Sequence, residues 1–205
     1  MASYQTTMFD EDDTIFVGDY SIRKIQYHES LPFILEIHYA KRVPSTIQYV
    51  YGLFNYKDLV GIVAYSIPAS ASLCEGIAGK NNKHLVLELS RLVLKNNKKN
   101  EASMLIGASL NLLPKPKIIV SYADTAQKHL GVVYQATNFL FTGTSKPRTD
   151  MAGKDGKHSR HHLGDNSKRV YRSAKHRYIY LLGNKKQKKI LKKQLNYPLM
   201  DYPKD

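Results

Sequence analysis

His84-Leu-Val-Leu-Glu-Leu-Ser-Arg-Leu-Val-Leu94 is followed by the polar run Lys95-Asn-Asn-Lys-Lys99. Then comes Asn100-Glu-Ala-Ser-Met-Leu-Ile-Gly-Ala-Ser-Leu-Asn-Leu-Leu113. The first stretch is mostly apolar and alternates in part, which predicts a long, mostly buried strand. Asn100 is a candidate N-cap, and Ala102 to Leu113 is apolar at helical spacing, so the third stretch predicts a helix that Pro114 and Pro116 close. A loop feeding a helix N-terminus offers free backbone N–H groups and the positive end of a dipole. Lys95, Lys98 and Lys99 add charge there. Such a junction can hold a cofactor phosphate, or it is an ordinary strand–helix connection with solvated lysines. No glycine-rich signature is present, which favours the second reading from local sequence alone.

Working outward towards the N-terminus, Thr14 to Tyr20 reads as a strand, and Ile22 to Gln26 carries no clear pattern. Pro32 in Ser30-Leu-Pro32 marks a helix start, with Phe33 to Tyr39 as its continuation. Ile47 to Phe54 and Leu59 to Ser66, around Asn55-Tyr-Lys-Asp58, predict a hairpin. Pro68 and the small residues Ala69 to Ser72 predict a loop. Towards the C-terminus, Lys117 to Tyr122 predicts a buried strand. Asp124 caps a following helix with Gln127 as capping-box partner. Phe139 to Thr142 and His176 to Leu182 are strands, Ser145 to Lys175 is loop-like, and Lys185 to Gln194 is a basic helix. Strand pairs come first and β-α-β units follow, so the fold class is mixed α/β. That order suits an acyltransferase-like sheet and leaves ferredoxin-like and small doubly wound folds open.

The 205 residues fit one domain, 1–205, and 42% hydrophobic residues are enough for a core. Lys and Arg total 31 against 17 Asp and Glu, a net charge of +14. The excess is uneven: residues 1–145 hold 14 basic and 12 acidic side chains, whereas residues 146–205 hold 17 and 5. A near-neutral core with a basic loop and tail over 145–205 points to a polyanionic partner, nucleic acid before membrane. The single cysteine, Cys74, excludes an intramolecular disulfide, a four-cysteine zinc site and a CxxC redox motif. No apolar run approaches the roughly 20 residues that span a bilayer. The acidic start at Asp10, Glu11, Asp12 and Asp13 is unlike a signal peptide, so a soluble, intracellular, reduced setting is expected.

Several residues are candidates for chemistry. Arg91 lies among apolar strand residues and needs a partner, for which Glu88 and Asp124 are candidates; a structural ion pair and a substrate anchor are equally open readings. Asp124 follows a strand at the sheet's C-terminal edge, where ligands bind in open α/β sheets. Tyr134 sits on the helix that Asp124 starts, where a tyrosine is more often core. His38 and Tyr39 offer a base, an acid or a ligand. His158, Arg160, His161 and His162 lack zinc-like spacing and fit DNA contact better. Fifteen tyrosines and no tryptophan supply stacking surfaces for an unpaired base, although most tyrosines will be strand residues.

Seven blocks, in this order and spacing, resemble the Mom family of phage DNA-modification proteins, which share the fold of the general N-acetyltransferase (GNAT) superfamily. They are His38-Tyr-Ala-Lys-Arg-Val-Pro44, Glu88-Leu-Ser-Arg-Leu-Val-Leu94, Asn100-Glu-Ala-Ser103, Val120-Ser-Tyr-Ala-Asp-Thr-Ala-Gln127, Gly131-Val-Val-Tyr-Gln-Ala-Thr-Asn-Phe139, Lys175-His-Arg-Tyr-Ile-Tyr180 and Tyr197-Pro-Leu-Met-Asp-Tyr-Pro203. The resemblance covers roughly residues 20–204. It implies a GNAT-like, mostly antiparallel central sheet flanked by helices, with a basic C-terminal extension. It further implies a transferase that converts adenine in double-stranded DNA to N6-carbamoylmethyladenine, protecting phage DNA from restriction in the cytoplasm of the infected host.

Under that resemblance His38, Tyr39, Arg91, Ser103, Asp124 and Tyr134 line the active site. His38, Tyr39 and Asp124 would be ligands of an iron ion. Acetyl-CoA or a related acyl thioester would lie against Leu92, Val93, Leu94, Lys99, Asn100 and Ser103. Ordinary acetyltransferases carry Gln/Arg-x-x-Gly-x-Gly/Ala there; this chain has Lys-Asn-Asn-Lys-Lys-Asn-Glu-Ala-Ser. DNA contacts would come from Lys41, Arg42, Arg148, Arg160, His161, Lys168, Arg169, Arg172, Lys175 and Arg177. A homodimer is compatible with this reading, no membrane is needed, and a conventional acetyltransferase and a non-catalytic DNA-binding protein are the alternatives.

Overall fold

The computed structural model describes residues 13–44, 46–151 and 169–204. Its centre is the hairpin that the β-branched and aromatic run predicts. Strand β3 (Ile47–Asn55) turns through Tyr56, at φ +53, into β4 (Asp58–Ser66). The long apolar stretch forms β5 (Val86–Leu94), antiparallel to β4. Helix α3 (Glu101–Leu112) follows and returns the chain to β6 (Lys117–Asp124), which lies parallel to β5.

On the hairpin's other side, β1 (Ile15–Val17) and β2 (Tyr20–Lys24) complete the N-terminal edge. The expected single strand Thr14–Tyr20 is therefore two, because the chain reverses at Gly18, whose φ of +58 suits glycine. Strand β10 (Lys175–Leu182) is inserted between β6 and β7 (Leu140–Thr144). The eight-stranded order is β1-β2-β3-β4-β5-β6-β10-β7, antiparallel except at β5–β6.

Strand alternation divides the core between the two faces. Leu87 and Leu89 pack with Leu53, Val63 and Tyr65 under Leu105, Ile106 and Leu110 of α3. Val86, Ile118, Val120 and Ile179 face Cys74 and Ile77 of α2 (Ala71–Ala78) and Leu191 of α5 (Lys185–Lys193). The loop expected at Ala69–Ser72 runs into α2 instead. Small residues and Gly76 hide its period, yet Cys74, Ile77 and Ala78 share a buried stripe.

Three local departures shape the site. Helix α1 (Tyr27–Pro32) starts earlier than expected, and Pro32 ends it rather than opening it. The next turn, Phe33–Ile37, widens to a π-helix closed by the His38 N–H donating to the Phe33 carbonyl at 3.0 Å. His38 then turns to extended backbone. Asp124 caps a 3₁₀ turn, Thr125–Gln127, by accepting from the Ala126 N–H, and forms no box with Gln127. Helix α4 (Val132–Ala136), which carries Tyr134, starts separately at Gly131. The expected loop after Ser145 contains a two-stranded ribbon, β8 (Arg148–Met151) with β9 (Arg169–Arg172). Among the described residues no helix is long and apolar enough to cross a membrane.

Gly131 has φ +73, and a Cβ there would overlap the Tyr178 ring. Tyr178 in turn donates to the Leu130 carbonyl, so the loop before α4 is pressed onto the sheet. Gly131→Ala should destabilise the fold by about 2–4 kcal/mol, from left-handed backbone strain plus overpacking. Thermal unfolding would report this as a Tm drop, whereas Gly107→Ala, which meets nothing within 4 Å, should not lower it.

Candidate active site

Strands β5 and β6 pair only from Val86 to Glu88 and Ile118 to Val120, then separate. The Ser121 hydroxyl spans the start of the gap, donating to the Leu89 carbonyl at 3.1 Å. On the opposite edge of β5, Ala64 pairs with Arg91 and Tyr65 with Leu89, leaving Ser90 as a bulge. Its hydroxyl reaches the Ala64 carbonyl at 3.2 Å and the Ser66 hydroxyl at 2.6 Å. A cavity of about 730 Å³ opens in the fork.

Five of the six expected catalytic residues line this cavity: His38, Tyr39, Arg91, Asp124 and Tyr134. Ser103 does not; its hydroxyl donates to the Asn100 carbonyl at 3.1 Å. Leu92, Val93 and Leu94 also line it, but the helix end contributes Asn97 and Ala102 rather than Lys99 and Asn100. Of the expected DNA contacts, Lys175 belongs to the cavity wall. Lys41 and Arg42 are exposed just beyond His38, and Arg148, Arg169 and Arg172 are exposed on the ribbon. Arg177 is committed within the fold. It donates to the Thr142 hydroxyl and carbonyl at 2.9 and 2.7 Å and stacks 3.3 Å over Tyr197. Arg160, His161 and Lys168, with His158 and His162, lie outside the described residues.

Arg91 ion-pairs with neither Glu88 nor Asp124. Its Nη1 donates to the Ser90 carbonyl and its Nη2 to the Arg42 carbonyl, both at 2.6 Å. This fastens the segment after His38 to β5. Its buried Nε–H has no partner among the described residues. Asp124 is instead paired with Lys175 at 2.8 Å and also accepts from Ser173 at 2.5 Å and Ala126 at 3.0 Å. Burial opposes ionisation of Asp124, but those hydrogen bonds and the lysine charge outweigh it and hold its pKa below the ordinary value.

His38 is pushed down to about 4, first by burial and then by the nearby Arg91 charge. Its Nδ1 accepts from the Ala40 N–H at 3.1 Å, which assigns the neutral ring's proton to Nε2. The imidazole is therefore a hydrogen-bond donor stacked on Tyr39, with ring centroids 4.5 Å apart. Burial raises the phenols of Tyr122 and Tyr134, so both stay neutral. Glu88 also lines the cavity, and the sequence offered it only as a partner for Arg91. Burial raises its pKa, against the pull of Arg91 and Lys175.

This donor chemistry does not fit the iron set His38, Tyr39 and Asp124. His38 presents N–H rather than a lone pair, and Asp124 already serves three donors, one of them an ammonium. No group of three His, Cys, Asp or Glu side chains able to hold a metal occurs among the described residues. A coenzyme A diphosphate also finds a poor cradle at α3. Asn100 is left-handed (φ +68) and makes no side-chain cap. The buried Glu101 carboxylate takes the Lys98 N–H at 2.8 Å and the Tyr20 hydroxyl at 2.9 Å. An anion of the protein's own thus already answers the positive end of the helix.

The sequence model of the Mom protein family matches residues 19–204, including every described cavity residue. The chain belongs to that family. It is 27% identical over 186 residues to methylcarbamoylase Mom of Escherichia phage Mu, covering 82% of this chain and 76% of that one. Among solved structures it is similar to the ribosomal-protein-S5-alanine acetyltransferase of Vibrio fischeri. The TM-score there is 0.51 at 9% identity, over 83% of this chain and 97% of that one. A probable acetyltransferase of Staphylococcus epidermidis gives 0.50 at 11% identity, over 80% and 99%. The fold of this Mom-family chain is thus GNAT-like, as the sequence resemblance implies.

The neutrality of His38 can be checked by NMR titration. Its folded pKa lies below the ordinary 6.5, so between about 4 and 6.5 the unfolded chain binds a proton that the folded chain does not. The contribution of His38 to stability should therefore rise with pH through that window and fall on acidification. Arg91→Gln should move the midpoint up only part of the way, because burial is the larger cause. A wild-type midpoint near 6.5 would contradict this assignment.

Proposed function

We propose that this Mom-family chain modifies adenine in double-stranded phage DNA, attaching a carbamoylmethyl group to N6 and thereby protecting that DNA from host restriction. It would act in the cytoplasm of the infected bacterium. The cavity at the fork is the observation that carries the reading. It is large enough for an extruded base, has aromatic walls in Tyr39, Tyr122 and Tyr134, and combines hydrogen-bond donors with a free carboxyl. Family membership and the name of the phage Mu relative favour this chemistry over conventional acetyl transfer. So does the Glu101 carboxylate at the helix end, where a cofactor diphosphate would otherwise sit. A protein that only binds DNA has no use for buried, pKa-shifted side chains around a cavity.

Each side chain has a task in this reading. The exposed cations beyond His38 and on the β8–β9 ribbon hold phosphates and set the position of the duplex. Tyr39 stacks on the extruded base and is itself stiffened by His38. Arg91 Nε–H, Lys175 and His38 Nε2–H are donors for the carbonyl and leaving group of an acetamide donor. Asp124 is a positioning residue that keeps the Lys175 ammonium at the cavity wall. The amine at N6 is a weak nucleophile because its lone pair is delocalised into the ring. Orientation and removal of its proton are therefore the two contributions the protein must make.

Nucleoside mass spectrometry tests the reading directly. Plasmid DNA from bacteria expressing the chain should contain a deoxyadenosine about 57 mass units heavier, which unexpressed controls lack. Asp124→Asn keeps the cap on Ala126 but removes the charge that holds Lys175, and should reduce the adduct at least about 10-fold. Unmodified DNA alongside folded wild-type protein would refute the reading.

A further inference from the structure

Glu88 occupies the last residue pair that joins β5 to β6, opposite Val120, where the fork begins. Its side chain lines the cavity and makes no hydrogen bond or ion pair with any described residue. The side chain is half-buried, so the cavity is where its oxygens meet solvent or a ligand. The titratable and charged groups coupled electrostatically to it lie on every element around the fork: Arg91 on β5, Tyr122 on β6, Lys175 on β10, Tyr134 on α4 and Cys74 on α2. Burial pushes the Glu88 carboxyl up and the two cations pull it down. The other cavity groups that could take a proton from inside are already committed. Asp124 serves Lys175, Ser173 and Ala126; His38 Nδ1 serves Ala40; and the buried phenols are neutral. His129 is exposed at the rim.

We propose that Glu88 is a catalytic residue whose carboxylate accepts the adenine N6–H and takes that proton as the new N6–carbon bond forms. This rests on the adenine reading above and deepens it. The co-reactant is an acetamide bearing a leaving group on carbon two. The N6 lone pair forms the bond to that carbon, the carbon–leaving-group bond breaks with its electron pair, and the N6 proton passes to Glu88. No electrons are exchanged with an oxidant or reductant. The same carboxylate discriminates adenine from guanine. Adenine offers an N6–H donor at this edge, whereas guanine offers the O6 oxygen, which an ionised carboxylate repels.

The test compares wild type, Glu88→Gln and Glu88→Asp in the initial rate of deoxyadenosine modification across pH, with thermal melting of each. Glu88→Gln keeps the shape but cannot take a proton, and should lose at least about 100-fold in rate without a lower Tm. The wild-type rate should rise with pH as Glu88 ionises, with its midpoint above the ordinary carboxylate value. That acid limb should vanish from the residual activity of Glu88→Gln and persist, at a reduced rate, in Glu88→Asp. If Glu88→Gln does not fold, the retained limb in Glu88→Asp is the supporting result, and a limb absent from it overturns the proposal. Equal rates and limbs in wild type and Glu88→Gln would overturn the proposal while leaving the adenine reading intact. A wild-type chain that leaves adenine unmodified fails the adenine reading, and the proposal falls with it.

Discussion

Strand β5 stays beside β6 for three residue pairs and then leaves it in the middle of the sheet. A parallel ladder that stops there strips backbone groups of their partners, and each buried one left alone costs roughly 1–3 kcal/mol. Two serine hydroxyls meet that cost. Ser121 bonds the Leu89 carbonyl across the gap, and Ser90 bulges from the opposite edge to bond the Ala64 carbonyl. Neither contact is strong, but together they let the sheet divide without unravelling. Everything functional hangs on the result: a cavity inside the sheet, walled by rigid strands, whose lining residues sit on strand ends and the short turns attached to them.

The charges around that cavity are arranged by task rather than by sign. The chain as a whole is strongly basic, yet inside the cavity most cations are tied down. Arg91 is spent on two backbone carbonyls and Lys175 on Asp124. What remains available is an unpartnered guanidinium N–H, the other N–H groups of Lys175, one imidazole N–H and one carboxyl. The low pKa of His38 follows from this layout, because burial beside Arg91 disfavours a second positive charge. The raised Glu88 and the lowered Asp124 are two carboxyls with opposite environments in one cavity. Such a divergence gives two like groups in one cavity different readiness to ionise.

Much of this was legible in the chain. The run from His84 to Leu113 announced strand, loop and helix because its apolar period changes from strand-like to helical at a polar break. The hairpin around Asn55–Asp58 was equally plain. What stayed hidden lacked a period. Helix α2 is too short and too rich in small residues, and β1 and β2 looked like one strand until Gly18 reversed the chain. The π-turn after Pro32 has no local signature, although it is what aims His38 and Tyr39 at the cavity. His38, Arg91 and Asp124 stood out as polar residues beside apolar ones. Their partners did not, because Arg42, Ser173 and Lys175 come from distant stretches of chain. Glu88 was visible as an acid inside Leu-Val-Leu-Glu-Leu, a placement that burial alone makes costly. Arg91 does act on its charge, but the two form no ion pair, because Arg91 donates to the Ser90 and Arg42 carbonyls.

Glu101 changes what the start of α3 offers a ligand. In a GNAT-like sheet the start of α3 is the natural seat for a cofactor phosphate, since its first N–H groups and dipole favour an anion. Here Asn100 enters that helix in left-handed backbone, and Glu101 folds back to take the Lys98 N–H while Tyr20 reaches across from β2 to hold it. The anion is built in, buried and hydrogen-bonded on both oxygens, so a negative charge already stands beside the helix end. The side-chain hydrogen bonds at the fork come from Ser90 and Ser121 and not from the helix end. Cavity and cofactor cradle are therefore separable features of the sheet. The cavity lies at the fork of the sheet, while a built-in carboxylate stands at the helix end.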